Sequence, residues 1–347
     1  MENNVLVFES YYVCENDIWI SARDFNGLFH GDLQSGKTDF IGHFPNQKIY
    51  DERLHYGKAI MVESNLYFTP YQSEFLHIFN MKTGLLRSIG LGSYKDKYAS
   101  SVLLGKKICF MTSSSMRMLV FDCTLESFDR IEIDNQIEGG VFSNYILTKE
   151  KCIFSCIKEN ALIVMDSNML SKTVKILIGE TDDRYIPIGE YKGNILLHKF
   201  NTDLMILWNL EKGKIDKKYV MNGYINHAAL MFENQILGSN LAGKGITIFD
   251  INNLHSENFL PTEKGSYIST VEVTCIFNTN KKIYFQWSGN GHIYDGFGKS
   301  EVTKFLIQDD ILENVKKELN KSIDVKEVKY IEERPLFTIE TFLEYLS

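Results

Sequence analysis

The chain has 347 residues, of which 44% are hydrophobic and 24% charged, and a formal net charge of −8, a composition typical of an ordinary globular protein. The negative charge disfavours nucleic acid and anionic membrane surfaces as partners. No apolar run reaches the length of a membrane helix, and Met1–Asn4 lacks the basic region of a signal peptide, so we expect a cytoplasmic protein.

Near the amino end, the run Val5–Phe8 is an extra apolar segment ahead of a second one, Tyr11–Cys14. Both precede a periodic pattern that continues through most of the chain. If this pattern forms a closed ring of sheets, we expect one of the two segments to pair into the last sheet and close the ring.

A short apolar run that ends in Asp or Asn recurs along the chain. These anchors lie 41 to 48 residues apart, at Asp32, Asn80, Asp122, Asp166, Asn209, Asp250 and Asp295. An apolar strand begins 12 to 14 residues before each anchor, at Ile18, Leu66, Ile108, Ile153, Ile195, Ile236 and Ile283. Two markers with one period indicate a true structural unit, and a repeat of about 40–50 residues made of short strands is typical of a β-propeller blade.

One repeat shows the expected four strands clearly. They are Tyr185–Tyr191, Asn194–Phe200, Leu204–Asn209 and Ile215–Val220, separated by turn residues. A sheet with two apolar faces needs a neighbour on each side, and stacking such sheets in a closed ring covers both faces. The Asp and Asn anchors themselves are best explained as side chains that cap tight turns.

The repeats resemble those of the propeller group that includes WD-repeat and quinoprotein-like proteins, over roughly residues 1–307. Leu207-Trp208-Asn209 followed by Lys212-Gly213 is similar to the end of a WD repeat. Where that family prefers Trp, the other repeats carry Gly31, Phe79, Phe121, Met165, Phe249 and Tyr294. The Gly-His pair, the kelch double glycine and the sialidase Asp-box do not recur. The resemblance therefore implies an all-β fold, a single seven-bladed β-propeller of four-stranded blades, without a specific family.

After Ile307 the period becomes helical, with Ile311, Leu312, Val315 and Leu319 on one stripe. A second amphipathic segment follows at Thr338–Leu346. We therefore divide the chain into a propeller, residues 1–307, and a helical C-terminal extension, residues 308–347. The extension either packs on the ring or docks a partner, and the sequence leaves both open.

The six cysteines, at positions 14, 109, 123, 152, 156 and 275, are scattered through expected strands. We interpret them as reduced, buried thiols. Cys152 and Cys156 would lie about 13 Å apart on one strand, too far for a disulfide or a shared zinc ion. We expect no metal and no cofactor.

Propellers generally bind ligands where loops enter the innermost strands. Tyrosines recur at these positions, often with a cation beside them: Arg53, Tyr56, Lys97, Tyr98, Arg184, Tyr185, Tyr224 and Tyr267. Tyrosine offers a rigid apolar plate with a polar tip, and the cations suit a carboxylate or phosphate. The same tyrosines would also be explained by their β-propensity alone, as core residues.

These observations favour a non-catalytic scaffold that binds a protein or peptide on the channel face. The alternative is a lyase or hydrolase acting on a carbohydrate or other small molecule. For that chemistry the candidates are His55, His227 and Glu272, which would supply a base and a carboxylate at the channel mouth. Nucleophile elbows, phosphate loops and metal-binding motifs are absent from the sequence.

Overall fold

The computed structural model describes the ranges 6–133, 138–148, 150–166, 169–177, 183–200, 202–220, 225–232, 234–240, 246–259, 273–279, 282–287, 290–294, 300–303 and 305–322. Within them the chain forms seven separate antiparallel sheets and a single helix. Each sheet is built from consecutive strands, as the repeat predicted.

The first sheet contains β1 (Phe8–Cys14), β2 (Asp17–Ala22), β3 (Leu28–Asp32), β4 (Thr38–Gly42) and the short β5 (Gly57–Lys58). The second contains β6 (Ile60–Val62), β7 (Asn65–Phe68), β8 (Phe75–Asn80) and β9 (Leu85–Gly90). The third contains β10 (Tyr98–Leu104), β11 (Lys107–Thr112), β12 (Arg117–Asp122) and β13 (Ser127–Glu132). The short β5 pairs in parallel with β1, on the inner edge of the first sheet.

The other four sheets contain β14 (Val141–Leu147), β15 (Lys151–Cys156), β16 (Ala161–Asp166) and β17 (Met169–Leu177); β18 (Tyr185–Tyr191), β19 (Asn194–Lys199), β20 (Leu204–Asn209) and β21 (Lys214–Val220); β22 (Ile225–Phe232), β23 (Gln235–Asn240), β24 (Ile246–Asp250) and β25 (His255–Phe259); and β26 (Val273–Thr279), β27 (Lys282–Trp287), β28 (Asn290–Tyr294) and β29 (Ser300–Thr303).

The first strands of neighbouring sheets contact one another around a ring, and β1 contacts β26. The buried apolar clusters lie between facing sheets, as expected when each blade covers the next. This arrangement confirms the all-β propeller fold. Among the described residues no helix is both long and apolar enough to cross a membrane.

Five of the seven Asp and Asn anchors cap turns, as predicted, and Asp295 lies outside the described residues. Asp122 Oδ1 accepts hydrogen bonds from the backbone N–H groups of Thr124, at 2.8 Å, and Leu125, at 3.0 Å. These two bonds lower the pKa of Asp122 below its ordinary value. Asp32, Asn80, Asn209 and Asp250 accept equivalent bonds from the residues two or three positions later.

The closure of the ring differs from the prediction. β1 is the innermost long strand of the first sheet, and the seventh sheet consists of β26–β29 from its own repeat. Among the described residues, no strand from the amino end pairs into the seventh sheet. Instead, the Leu6 N–H donates a 2.7 Å hydrogen bond to the Phe305 carbonyl, so the chain leaving the last sheet joins the start of the first.

The segment that follows the seventh sheet fills a gap in the first. A Cβ added to Gly31 on β3 would lie 3.1 Å from the Phe305 ring and 3.1 Å from Ile18. Gly31 stands where the other repeats carry a large apolar side chain, and Phe305, 1% exposed, occupies that space. Gln308 Nε2 donates to the Thr38 carbonyl at 2.8 Å, which holds the segment against β4. Residues from the two ends of the chain thus form one core.

The helix α1 (Asp309–Ser322) packs on this core through buried Val315 and through the partly buried Ile311 and Leu312. The described part of the extension therefore covers the ring, which was one of the two expected arrangements. The second amphipathic segment, Thr338–Leu346, lies outside the described residues. The boundary at residue 307 remains a prediction.

Candidate channel-mouth site

Antiparallel order brings four loops to one rim of the ring. The end of a second strand and the start of the third lie at the same edge as the loop that enters the first strand. Residues 23–27, 43–56, 69–74 and 91–97 therefore open on one face near the channel, which we call the mouth face.

The loop of residues 43–56 is braced from below by a buried side chain. Asn26, 0% exposed, donates from Nδ2 to the Phe44 carbonyl at 3.0 Å and accepts from the Phe44 N–H at 2.8 Å. These two bonds satisfy buried backbone groups of an irregular segment, as a loop packed against the core requires. These bonds hold the loop in place, and its polar residues lie on the mouth face.

Four side chains come together on this face. The Tyr71 ring centre lies 5.5 Å from that of Tyr56, 5.4 Å from Arg53 Cζ and 5.5 Å from Lys97 Nζ. Both cations are within the range of cation–π attraction. We call these residues the Tyr71 cluster; Arg53, Tyr56 and Tyr71 belong to the second blade and Lys97 to the entrance of the third.

Arg53 is held in a fixed position by a buried carboxylate. Its Nε and Nη2 each donate to Glu9 at 3.0 Å, and the Glu9 side chain is only 9% exposed. The backbone of Arg53 has φ = 48°, in the left-handed region that costs a non-glycine residue about 1–3 kcal/mol. Such strain persists only where the surroundings enforce it. Here the Arg53 N–H donates to the Arg23 carbonyl at 2.6 Å, and the Arg53 carbonyl accepts from the Gln72 N–H at 3.2 Å.

Two other carboxylates lie on the Arg53 side of the cluster. Asp24 pairs with Arg23 at 2.7 Å. Partial burial, together with the neighbouring Asp24 charge, raises the pKa of Glu52 above its ordinary value. The mouth face therefore carries both signs of charge. Negative side chains lie near Arg53 and also in the loops nearer the third blade, where Glu74 pairs with Lys95 and Asp96 faces Arg130.

The sequence predicted Arg53, Tyr56 and Lys97 as binding residues, and the structure brings these three together. It missed Tyr71, because this residue lies in the loop between the second and third strands and not at the repeated tyrosine position. The signal was the aromatic residue in the turn segment Thr69–Ser73, where solvated loops rarely place one.

Other expected binding residues lie elsewhere. Tyr98 and Tyr185 are 1% and 4% exposed, with their rings in the core between blades. The Tyr98 hydroxyl donates to the Tyr94 carbonyl at 2.6 Å, and burial raises the pKa of Tyr98. These two tyrosines thus match the core interpretation. Arg184 Nε donates to the Ile157 carbonyl at 3.0 Å and braces a neighbouring loop. Tyr224 and Tyr267 lie outside the described residues.

His55 belongs to a buried chain of hydrogen bonds. His77 Nε2 lies 3.0 Å from the Pro45 carbonyl, which can only accept, so this nitrogen carries the proton. His77 Nδ1 then accepts from His55 Nε2 at 2.8 Å, and His55 Nδ1 accepts from the Ser21 hydroxyl at 2.8 Å. With both rings neutral, each of the four imidazole nitrogens has one hydrogen-bond partner in this chain.

This environment disfavours charge on either ring. Burial, with a contribution from the other histidine, lowers the pKa of His55 well below its usual value, and burial lowers the pKa of His77 to about 4. His55 is 2% exposed. It therefore lacks both the access and the free nitrogen that the proposed catalytic base requires, and its role in this conformation is to join the first two blades.

The other two candidates for catalysis are His227 and Glu272. His227 lies on β22, but its side chain is not described, and Glu272 lies outside the described residues. Within the described part of the chain, no group of three or more His, Cys, Asp or Glu side chains is placed to hold a metal ion.

Comparison with known proteins supports the fold. No protein-family model and no curated protein matches the chain. Among solved structures, virginiamycin B lyase from Staphylococcus aureus is similar, with a TM-score of 0.63 and 12% identity over 87% of this chain and 96% of that one. A streptogramin B lyase gives 0.63 and 11% over 88% of this chain and 97% of that one. At this identity the likeness establishes a β-propeller and nothing about its ligand.

A third comparison corrects the expected location. The extracellular domain of the putative one component system BT4673 from B. thetaiotaomicron has a TM-score of 0.60 and 11% identity over 84% of this chain and 39% of that one. Since a propeller of this shape is found outside the cell, the cytoplasmic assignment, drawn from composition and the amino end, is wrong as an inference. The free thiols of Cys14, Cys109, Cys123 and Cys152 are no argument for the cytoplasm.

Proposed function

We propose that the protein is a non-catalytic binding module that recognises a protein or peptide on its mouth face. The observation that carries this proposal is the Tyr71 cluster, in which two tyrosines and two cations are assembled from separate loops on a braced rim. Tyrosine and arginine are enriched among the residues that dominate binding energy in protein interfaces.

The geometry suits recognition better than chemistry. Tyr56 and Tyr71 offer half-exposed aromatic surface with polar edges, as an interface needs. A catalytic site needs titratable groups that converge on a dry pocket. The histidine that was expected to serve there is enclosed and neutral, and both its nitrogens are bonded.

The alternative, a lyase or hydrolase acting on a carbohydrate or other small molecule, is favoured by one specific observation, the two lyases among the similar folds. It would depend on His227 and Glu272. To test it, the wild-type protein is screened for turnover of such compounds, and any turnover found is measured again after His227 and Glu272 are both replaced by Ala. Loss of that turnover would establish the enzyme.

The binding proposal is tested by selecting from a random displayed-peptide library on the immobilised full-length protein. Peptides retained by the wild type are measured again with Tyr71→Ala, after melting curves have shown that this variant is folded. We expect Tyr71→Ala to weaken the selected peptides at least about tenfold, as for a central aromatic anchor. A wild type that retains no peptide dependent on Tyr71 would refute the proposal.

A further inference from the structure

The two cations that contact Tyr71 differ in how their charge is balanced. Arg53 uses Nε and Nη2 for the two oxygens of Glu9. Lys97 is exposed, and its ammonium group lies over the Tyr71 ring. Among the described residues no carboxylate lies within 4.0 Å of this group. By contrast, Lys95, two residues earlier in the same loop, pairs with Glu74 at 2.7 Å.

An ammonium group that lies over an aromatic ring and has no counter-ion can form an ion pair with an anionic ligand. The ring limits the freedom of the lysine side chain, so a ligand that pairs with it loses less entropy than it would with an unrestrained surface lysine. Arg53 contacts the same ring, but two of its three guanidinium nitrogens are used by Glu9, so Lys97 is the cation of the cluster that has no carboxylate partner among the described residues.

We propose that Lys97, over the Tyr71 ring, forms a subsite for a side-chain carboxylate, so that the peptide recognised on the mouth face is acidic. This inference rests on the proposed function and specifies its ligand. A single carboxylate suits one ammonium group, whereas a phosphate would leave acceptor oxygens without donors.

The surrounding charges set the direction from which the acidic residue approaches. Glu9, Asp24 and Glu52 lie on the Arg53 side of the cluster and repel a carboxylate there. Lys97 lies in the loop that enters the third blade and attracts it. The carboxylates in the loops on that side, Glu74 and Asp96, face other cations, Lys95 at 2.7 Å and Arg130 at 3.8 Å. The net charge of −8 does not prevent binding, because charges more than about 8 Å away are largely screened at physiological ionic strength.

The test uses the displayed peptides that depend on Tyr71. Their sequences are compared with the unselected library for Asp and Glu content, and the affinity of a synthetic, fluorescein-labelled representative is measured by anisotropy. We expect enrichment of acidic residues and a loss of about fivefold in affinity for Lys97→Gln, the size of an exposed ion pair. Lys95→Gln, which removes the same charge from the same loop, should bind as the wild type does.

Each other outcome decides against one of the two proposals. Tyr71-dependent peptides without acidic enrichment, or with unchanged affinity for Lys97→Gln, would overturn the carboxylate subsite and leave the binding function standing. Equal losses for Lys95→Gln and Lys97→Gln would also overturn it, since the effect would then come from the general field. The absence of any Tyr71-dependent peptide would remove the binding function and the subsite with it.

Discussion

The buried histidine pair predicts a specific loss of stability in acid. The pKa of His77 falls from 6.5 to about 4 because the ring is buried. Between these two values the unfolded chain binds more protons than the folded one, so the free energy of unfolding rises with pH. The contribution of His77 is therefore fully present above pH 6.5 and is lost as the pH falls towards 4.

The magnitude follows from linkage. The full difference between the two pKa values corresponds to about 3 kcal/mol. At pH 5 the unfolded form is mostly protonated and the folded form mostly neutral, so about 2 kcal/mol should already be lost. No discount for solvent is needed, since the His77 side chain is 0% exposed.

The assay is urea denaturation of the wild type and of His77→Gln at pH 7.5 and pH 5. A Gln side chain can accept from His55 and donate to Pro45, as His77 does, but it does not titrate. We expect the pH-dependent loss to be about 2 kcal/mol smaller in His77→Gln than in the wild type. The exposed His255, replaced by Gln, is the control and should reproduce the wild-type curve.

Because each variant is compared with itself at two pH values, a general loss of stability in His77→Gln does not affect the conclusion. An identical pH dependence in His77→Gln and the wild type would show that His77 is not held neutral. It would refute the assigned direction of the Ser21–His55–His77–Pro45 chain.

Three further predictions concern packing and charge. Phe305→Ala should lower the free energy of unfolding by about 3–5 kcal/mol. Gly31→Val should destabilise the wild type but be better tolerated in the Phe305→Ala variant, because the two side chains compete for one space. Additive losses in urea denaturation would contradict this. Glu9→Gln should lower the free energy of unfolding by about 1 kcal/mol, because Arg53 loses its carboxylate partner; an unchanged urea denaturation curve would show that the pair does not stabilise this rim. Removing residues 309–347 should lower the melting temperature and promote aggregation, because Val315 covers the first-blade core; a monodisperse protein with the wild-type melting curve would contradict this.

The parts of the fold that the sequence predicted are those fixed by local interactions. Asp122 and its counterparts cap turns formed by the next three residues, so the signal and its structural effect are adjacent in the chain. The closure of the ring was mispredicted, because Phe305 and Gly31 are far apart in sequence. Gly31 in place of a large side chain was visible as an irregularity, but nothing local indicates which residue fills the space.

The site shows a similar limit. Tyr56 and Tyr98 occupy the same repeat position, each ten residues before a strand marker, yet Tyr98 is core and Tyr56 lies on the mouth face. The difference arises from the entering loops: residues 91–97 lead directly into β10, whereas residues 43–56 precede β5, which pairs with the first blade before β6 begins. A repeated position alone does not fix the environment of a side chain.

The interval between Asp32 and Asn80 is 48 residues, whereas the later ones are 41 to 45. The additional length falls in the loop of residues 43–56, which carries Arg53, His55 and Tyr56. Regular intervals follow from the burial that every blade shares, so they describe the frame. Here the longer interval supplies His55, one of the two neutral histidines, and Arg53, one of the two cations that contact Tyr71. We therefore expect the ligand at the departure from the repeat, and Tyr71→Ala is the variant that tests this expectation.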